Sequence, residues 1–365
     1  AQDRARTDLD LPQGDQMNVD SEGGDDDDRY PFDDCPMGHL LYMLIGDFDR
    51  SMTTFTAHTD RVLCCRLGLA SGRLLVTGGE DRRVNVWRIE RTGNSALMSL
   101  NGHGSAVSCA VFDRQEEIIA SGCTGGGIKV WDVASSKLVT SLPGHKTECT
   151  TVEFHPYGSF FATASADTNI KIWDLRQQKC VQIYRGHQFG AVRHNFAASD
   201  GKIRVVRFSP HGKWLVGGGS DGSVRLWDLS AGKLLKDMED PHKDAVTALD
   251  FHPADFYLVS GSEDRTCKLW NCDTFSLAGT SEIDHSAVKF VKFRPDGTSL
   301  LHGSQDALKV FSWDPHYCRI ACEAVHPLPA PGQWCGASDI RISGSSASME
   351  IGKPGRTPGA SISPS

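Results

Sequence analysis

The sequence motif that decides the fold is FATASADTNIKIWD, which occupies residues 161–174. Its second half alternates apolar and polar residues and closes on Trp173, a pattern typical of a half-buried β-strand. Similar runs recur along the chain, and successive runs end 41 to 54 residues apart. They read VNVW, IKVW, VRLW, CKLW and LKVF, and they end at Trp87, Trp131, Trp227, Trp270 and Phe311. The spacing indicates a repeated unit of about 40–45 residues.

A histidine stands ahead of each of these aromatic residues, and in several repeats it follows a glycine. The histidines are His58, His103, His145, His187, His242 and His285. A period of this length with Gly-His and Trp-Asp marks resembles the WD40 repeat, in which each copy supplies a four-stranded blade of a β-propeller. We therefore expect an all-β fold, a WD40 β-propeller with six recognisable blades, a degenerate seventh and disordered termini. Residues 314–350 and an outer strand from residues 47–56 are expected to form the seventh blade, which would hide an exposed sheet edge.

Four residue types recur at fixed offsets and predict a buried hydrogen-bond chain inside the blades, here called the staple. In the third repeat, His145 is expected to bond Asp167 and the hydroxyl of Thr163, which also accepts the indole N–H of Trp173. The fifth repeat has the same offsets, and the first differs by one residue; their tetrads are His242, Ser260, Asp264, Trp270 and His58, Thr77, Asp81, Trp87. An enzyme needs its His/Asp/Ser set once. A repeated set therefore indicates a structural role, and no catalytic residues are expected.

Three repeats depart from this pattern. The second has Gly125 where the aspartate is expected, and the fourth has Gly217 where the hydroxyl is expected. The sixth is one residue short and ends in Phe311. These blades are expected to depend more on packing. The interval of 54 residues before Trp227 also contains 12 extra residues near His194 to Val205, which are either a surface loop or a translated intron.

Charge is concentrated at the start of the chain. Residues 1–37 hold twelve acidic side chains against three arginines, whereas the whole chain has a formal charge of −8. Such an acidic segment with few apolar residues is expected to be disordered. The nearly neutral remainder gives no reason to expect nonspecific nucleic-acid binding. The expected organisation is a disordered leader over residues 1–37, a propeller over residues 38–342 and a disordered Ser/Gly/Pro-rich tail over residues 343–365.

The sequence indicates no membrane span, metal site or cofactor. No apolar run approaches the roughly 18 residues that a span requires. The twelve cysteines form no Cys-x-x-Cys pair, so we expect reduced thiols in the core of a cytoplasmic protein. Gly125–Gly127 and Gly217–Gly219 precede alternating strands rather than helices, which predicts tight turns and not phosphate-binding loops. No P-loop motif occurs, so the chain is not expected to hydrolyse ATP.

Longer stretches are similar to the WD-repeat regulatory subunit of the microtubule-severing enzyme katanin. They include SGRLLVTGGEDRRVNVW (71–87), FHPYGSFFATASADTNIKIWDLRQQKCVQIYRGH (154–187) and DGTSLLHGSQDALKVFSWDP (296–315). The resemblance covers roughly residues 52–342. It implies a non-catalytic scaffold of the cytoplasm and cytoskeleton that binds microtubules and spindle-pole or basal-body partners, in a complex with the katanin ATPase subunit.

The resemblance also implies how the ATPase is held. In this family a separate helical C-terminal domain binds the ATPase subunit, whereas residues after 342 show no helical apolar periodicity. We therefore expect either a fragment of a longer protein or a form that does not recruit the ATPase through the usual contact.

A second resemblance gives an alternative function. Trp173-Asp174-Leu175-Arg176 resembles the Trp-Asp-x-Arg signature of propellers that dock on the adaptor of a cullin-RING ubiquitin ligase. It implies a substrate receptor of that ligase, although an arginine after a Trp-Asp turn also commonly does no more than solvate a blade edge.

Partner-binding residues are expected at the rim of the propeller formed by the turns that carry the staple aspartates. They are Glu80, Arg82, Arg83, Ser220, Glu263 and Gln305. A neutral to acidic rim would favour basic peptide segments over the acidic tails of tubulin. Arg82 and Arg83 form a basic patch that is expected as a microtubule contact.

Overall fold

The computed structural model describes residues 39–43, 52–89, 94–185, 201–238, 242–281, 283–304, 306–314 and 319–327. The described residues form 26 strands, and none of them lies in a helix. These strands assemble into six antiparallel sheets of four strands and one sheet of two. The predictions of a disordered leader and a disordered tail concern residues 1–37 and 343–365, which lie outside the described ranges.

In the first three blades, the order of the strands in the sheet follows their order in the chain. The first blade contains β3 (Val62–Leu67), β4 (Leu74–Gly79), β5 (Arg83–Arg88) and β6 (Ser95–Asn101). The second contains β7 (Val107–Phe112), β8 (Ile118–Cys123), β9 (Ile128–Asp132) and β10 (Lys137–Leu142). The third contains β11 (Cys149–Phe154), β12 (Phe160–Ser165), β13 (Asn169–Asp174) and β14 (Lys179–Arg185).

The next three blades repeat this layout. The fourth contains β15 (Ile203–Phe208), β16 (Trp214–Gly219), β17 (Val224–Asp228) and β18 (Lys233–Asp237). The fifth contains β19 (Val246–Phe251), β20 (Tyr257–Ser262), β21 (Cys267–Asn271) and β22 (Ser276–Thr280). The sixth contains β23 (Val288–Phe293), β24 (Ser299–Ser304), β25 (Ala307–Asp314) and β26 (Arg319–Pro327).

The hydrophobic core lies between neighbouring blades. The first strand of each blade contacts the first strand of the next, from β3 through β23. Trp131 of the second blade belongs to one buried cluster with Val84 and Val86 of the first. The second strands β8 and β12 are buried along nearly their whole length because a blade covers each face, whereas the fourth strands β10 and β14 are mostly exposed. The predicted all-β fold of repeated four-stranded blades is thus confirmed.

Glycines near the ends of the second strands permit close approach of the next blade. A Cβ on Gly78 would lie 2.6 Å from Cγ1 of Val107, the first residue of β7. The prediction of a tight turn is wrong for Gly217–Gly219, which form the end of β16. Gly125–Gly127 do lie in the turn between β8 and β9, where Gly126 adopts a φ of 81° that favours glycine.

Two predicted boundaries need correction. Arg319–Pro327, expected in a seventh blade, pairs with β25 as the fourth strand of the sixth blade. The expected outer strand occurs as β2 (Met52–Thr56), and it pairs with β1 (His39–Met43) in the two-stranded sheet. Ile203–Val205, expected in the insertion, belong to β15, while residues 186–200 and 328–350 lie outside the described ranges.

Candidate functional site

The structure brings the four predicted residues of the third blade into one hydrogen-bond chain. His145 precedes β11, Thr163 lies in β12, Asp167 lies in the following turn and Trp173 lies in β13. Nδ1 of His145 is 3.0 Å from Oδ2 of Asp167, and its Nε2 is 2.8 Å from Oγ1 of Thr163. The indole N–H of Trp173 donates to the same hydroxyl oxygen at 2.8 Å. Because a carboxylate only accepts, Nδ1 of His145 carries a proton and donates to Asp167.

The first and fifth blades contain the same staple. In the first, Nδ1 of His58 lies 2.9 Å from Asp81, and its Nε2 lies 2.8 Å from Oγ1 of Thr77. In the fifth, the distances from His242 to Asp264 and to Oγ of Ser260 are 2.9 and 2.7 Å. The indole groups close both chains, with Trp87 donating to Thr77 at 3.0 Å and Trp270 to Ser260 at 2.8 Å.

The environment of the staples in the third and fifth blades favours the ionised form of their carboxylates. Burial tends to raise the pKa of Asp167, but the hydrogen bond and charge of His145 and two backbone N–H groups hold that pKa well below its usual range. The pKa of Asp264 is lowered in the same way, against burial, by His242 and Thr266. Burial lowers the pKa of His58, although Asp81 opposes this shift. The carboxylates of Asp167 and Asp264 are therefore held ionised, as strong acceptors for the buried rings.

The second blade keeps half of this network. Nε2 of His103 lies 2.7 Å from Oγ of Ser121, which accepts the indole N–H of Trp131 at 2.8 Å. Gly125 occupies the aspartate position, and the buried Nδ1 of His103 has no hydrogen-bond partner among the described residues. Burial and the charge of Lys129 lower the pKa of His103 to about 4. A buried donor or acceptor left without a partner costs about 1–3 kcal/mol, so this blade has a local weakness.

The fourth blade replaces the hydroxyl by contact with an aromatic ring. A Cβ on Gly217 would lie 3.0 Å from the ring of Trp227, so the indole occupies the space above the glycine. Tyr184 packs against the same ring with 6.0 Å between centroids. His187, the expected histidine of this blade, lies outside the described residues.

The sixth blade has an ionic group that the sequence analysis missed. His285, the expected histidine, is exposed, and the buried residue at this position is Asp284. Oδ2 of Asp284 lies 2.8 Å from Nε2 of His302, and its Oδ1 pairs with Nζ of Lys309. His302 stacks on Phe311 with an interplanar angle of 16°. Burial lowers the pKa of His302 to about 4; Asp284 raises it and Lys309 lowers it further.

The arrangement of the staples does not present a nucleophile. The hydroxyls of Thr77, Thr163 and Ser260 are fully buried and already accept an indole N–H. No group of three or more His, Cys, Asp or Glu side chains in the described ranges is arranged to hold a metal ion. No helix in the same ranges is long and apolar enough to cross a membrane. The eight cysteines between residues 64 and 272 are free thiols, and none of these eight is exposed.

The described rim residues lie in the turns between second and third strands, except Arg83, which is the first residue of β5. Glu80 is 3.7 Å from Nη1 of Arg61, and Glu263 is 2.7 Å from Nη1 of Arg204. Ser220 is half-buried, and its N–H donates to the carbonyl of Lys202 at 2.8 Å. Arg82 and Arg83 are exposed side by side. Gln305 lies outside the described residues. Because Glu80 and Glu263 face arginines, the acidic character expected of this rim is partly neutralised.

Comparison with known proteins gives four findings. The family model "WD domain, G-beta repeat" matches residues 49–88, 94–132, 136–174, 178–228 and 232–271. Katanin p80 WD40 repeat-containing subunit B1 of Danio rerio is 45% identical over 73 residues, which are 20% of this chain and 10% of that protein. The katanin p80 homolog KTN80.3 of Arabidopsis thaliana is 44% identical over 72 residues, 20% of this chain and 8% of that protein. Angio-associated migratory cell protein of Homo sapiens is 37% identical over 93 residues, 26% of this chain and 21% of that protein.

A solved structure matches a larger share of the chain. The computationally designed Ika8 protein aligns with a TM-score of 0.61 and 28% sequence identity, over 76% of this chain and 78% of that one. The matches to the two katanin proteins, by contrast, span a tenth or less of their length.

Proposed function

Because the chain belongs to the WD-repeat family, we propose that it is a non-catalytic scaffold of the katanin type, which binds microtubules or spindle-pole and basal-body partners in the cytoplasm and cytoskeleton. The observation that carries this proposal is the 44–45% identity to katanin p80 WD40 subunits of an animal and a plant. Because that identity spans a short stretch, the katanin ATPase subunit and microtubules remain proposed partners.

The chemistry of the blades supports a scaffold rather than an enzyme. Each His/Asp/hydroxyl set is bonded to an indole of its own blade, and the set recurs in three blades. A nucleophile must instead be accessible to substrate and activated by its base. The polar groups of the staples are therefore engaged in holding strands together, which leaves the rim turns as the surface for partners.

The turn of the first blade is the rim contact that we propose for the acidic surface of a microtubule. Arg82 and Arg83 project from a turn in which Asp81 bonds His58 and accepts the N–H of Arg83 at 3.1 Å. The only other acid of this turn, Glu80, faces Arg61. The exposed charge of the turn is thus positive, and it complements an acidic partner.

Co-sedimentation of the full 365-residue chain with microtubules tests the proposal. We expect saturable binding that weakens with salt and is reduced by Arg82→Ala combined with Arg83→Ala. Arg265→Ala is the matched control, because Arg265 is exposed in the equivalent turn of the fifth blade and has nearly the same φ, 67° against 64° at Arg82. Absence of saturable binding would refute microtubule binding. An equal loss in the control would refute the placement at the first blade.

One observation favours the alternative function. Arg176 is exposed in the turn after β13, where buried Asp174 accepts the backbone N–H groups of Arg176 and Gln177 at 2.7 and 3.2 Å. The guanidinium is therefore presented by a fixed turn, as docking on a cullin-RING adaptor would require. A pull-down with the adaptor tests this: binding that is lost in Arg176→Ala and kept in Gln177→Ala would support the receptor function, and no capture would exclude it.

A further inference from the structure

The first blade leaves its tryptophan more exposed than the next four blades do. Trp87 is half-buried, whereas the exposed fraction is 3% or less for the equivalent residues Trp131, Trp173, Trp227 and Trp270. In the third and fifth blades, a lysine two residues before the tryptophan lies over its indole, 5.8 and 5.9 Å from the ring centroid. Asn85 takes that position in the first blade. The indole of Trp87 therefore lacks this lysine cover.

A groove of about 550 Å³ lies beside Trp87. Its walls come from the staple of the first blade, from β5 and β6, and from Thr56 at the end of β2. Ala96, Leu97 and Met98 make the β6 wall largely apolar. A cavity of roughly 150 Å³ with apolar walls already holds a benzene molecule. The groove therefore has room for more than one aromatic side chain.

The polar groups of the groove favour an acidic segment that brings a hydrogen-bond donor. Arg83 lines the groove and is exposed, and so is Arg82 beside it. The carboxylate of Asp81 is only 6% exposed and is bonded to His58, so it adds little repulsion. Asn85, which also lines the groove, has a buried Oδ1 with no hydrogen-bond partner among the described residues. A backbone N–H of an occupant would satisfy this oxygen.

The first described strand places the acidic leader next to this groove. β1 pairs with β2 so that His39 lies opposite Thr56, and Thr56 lines the groove. The leader contains the segment DDDDRYPFDD, residues 25–34, in which its only aromatic residues, Tyr30 and Phe32, stand between two runs of aspartate. Phe32 precedes His39 by seven residues. Seven residues span up to roughly 25 Å when extended, so the segment can reach both the groove and the arginines.

We propose that residues 25–34 of this chain dock in the groove, with Phe32 against the indole of Trp87 and the flanking aspartates beside Arg82 and Arg83. Aromatic pairs are stabilised by burial and by tilted ring geometry, and carboxylates form charge-assisted hydrogen bonds with guanidinium groups. Because the segment is tethered nearby, its effective concentration is high, on the order of millimolar, and weak contacts suffice.

The docked segment covers the turn that we propose as the microtubule contact. It therefore competes with the acidic surface of a microtubule for the same two arginines. This regulatory consequence rests on the proposed function, whereas the docking itself does not.

Fluorescence anisotropy of a labelled synthetic peptide with the sequence of residues 25–34 tests the docking on the full chain. The peptide should bind the parent weakly, because the tethered segment already occupies the groove. A full chain with Tyr30→Ser and Phe32→Ser, here called the released chain, should bind the peptide about tenfold more tightly. A peptide with serine at both aromatic positions, and one with asparagine at every aspartate, should bind weakly to both chains.

Substitutions in the released chain locate the bound peptide. Leu97→Asp puts a negative charge on the groove wall and should weaken binding by about tenfold. Val139→Asp is the matched control: Leu97 and Val139 lie at the same register shift of β6 and β10, are 38% and 48% exposed, and only Leu97 lines the groove. Arg82→Gln combined with Arg83→Gln should also weaken binding, whereas Arg265→Gln in the equivalent turn of the fifth blade should not.

The outcomes separate docking from nonspecific attraction. Thermal unfolding without peptide shows whether each variant is folded. Absence of saturable peptide binding to the released chain overturns the docking, as does an equal loss in Leu97→Asp and Val139→Asp. Sedimentation velocity shows whether a second copy is the receptor. A parent dimer that dissociates in the released chain would overturn docking within one chain.

Microtubule co-sedimentation tests the regulation separately. The released chain should co-sediment more than the parent, although its leader keeps the net charge of −9, so weaker repulsion does not explain the gain. Equal co-sedimentation of the two chains overturns the competition at Arg82 and Arg83. Peptide binding without co-sedimentation of either chain supports the docking and overturns the proposed function instead.

Discussion

Replacing Gly125 by aspartate should complete the staple of the second blade and stabilise the propeller. The turn already has the required backbone. In complete staples the residue after the aspartate has a positive φ, 68° at Thr168 and 67° at Arg265, and Gly126 has 81°. A Cβ on Gly125 would lie 3.0 Å from Oγ of Ser105, so that hydroxyl must move by a few tenths of an ångström. The new carboxylate would then face Nδ1 of His103.

The expected gain follows from the group that is now unsatisfied. Providing a partner for the buried Nδ1 of His103 recovers about 1–3 kcal/mol. Any residue with a Cβ also reduces the entropy of the unfolded chain, which contributes about 0.4–1 kcal/mol. Gly125→Ala is therefore the control, since it has this entropy effect and the contact with Ser105 but no carboxylate. The free energy of unfolding of the aspartate variant should exceed that of the alanine variant by about 1–3 kcal/mol. Each kcal/mol should raise Tm by about 2–4 °C.

The advantage should also depend on pH. The pKa of His103 is about 4 in the folded protein, against about 6.5 in the unfolded chain, so the folded state binds fewer protons between these values. Stability from the neutral ring is complete above about pH 6.5 and is lost as the pH falls towards 4. A carboxylate at position 125 raises the folded pKa and reduces this loss. Urea unfolding of the aspartate and alanine variants at about pH 8 and about pH 5 measures the effect. If the difference in unfolding free energy between the two variants is the same at both pH values, the reasoning is refuted.

Three further predictions concern other parts of the chain. Asp167→Ala should lower the unfolding free energy by about 1–3 kcal/mol, because the buried ring of His145 loses its acceptor; an unchanged thermal midpoint would contradict the staple. Lys309→Met should raise the pKa of His302, since the charge of Lys309 lowers it and that of Asp284 raises it; an imidazole titration by NMR that does not move would show that Lys309 exerts no such influence. Deleting residues 1–37, which carry a net charge of −9, should increase microtubule co-sedimentation at low salt, and the gain should shrink as screening rises. Reduced binding after the deletion would instead make the leader a positive contact.

The staples could be predicted from the sequence because their chemistry fixes both residue type and spacing. An imidazole that bridges a carboxylate and a hydroxyl needs those groups in the turn and in the second strand. The offsets of 22 and 18 residues from His145 recur from His242. The absence of the aspartate at Gly125 was also readable, since the neighbouring residues of the second repeat stay in register.

The sixth blade could not be predicted from the residue pattern of the other staples, because its carboxylate and its imidazole occupy different positions. His285 has the expected identity but is exposed, and Asp284 is the buried residue. Counting 42 residues from His242 and from Ser260 leads to Asp284 and His302, so the carboxylate stands at the histidine position and the imidazole at the hydroxyl position. The exchanged groups still face each other, with 2.8 Å between Oδ2 of Asp284 and Nε2 of His302, and Lys309 supplies a compensating charge.

The register shift at the second residue of each described first strand was missed for a different physical reason. It directs six side chains into the central cavity: Leu63, Ser108, Thr150, Arg204, Thr247 and Lys289. Strand prediction relies on a two-residue period, and a bulge interrupts that period at the residue that it re-aims. Arg204 and Lys289 therefore read as ordinary polar positions of half-buried strands, although the structure directs both into the central cavity. The regular alternation of apolar and polar residues, by contrast, determines which side chains form the core between blades, so that core could be predicted from the sequence. The irregularity, repeated at one position in the six described blades, determines which side chains reach the central cavity.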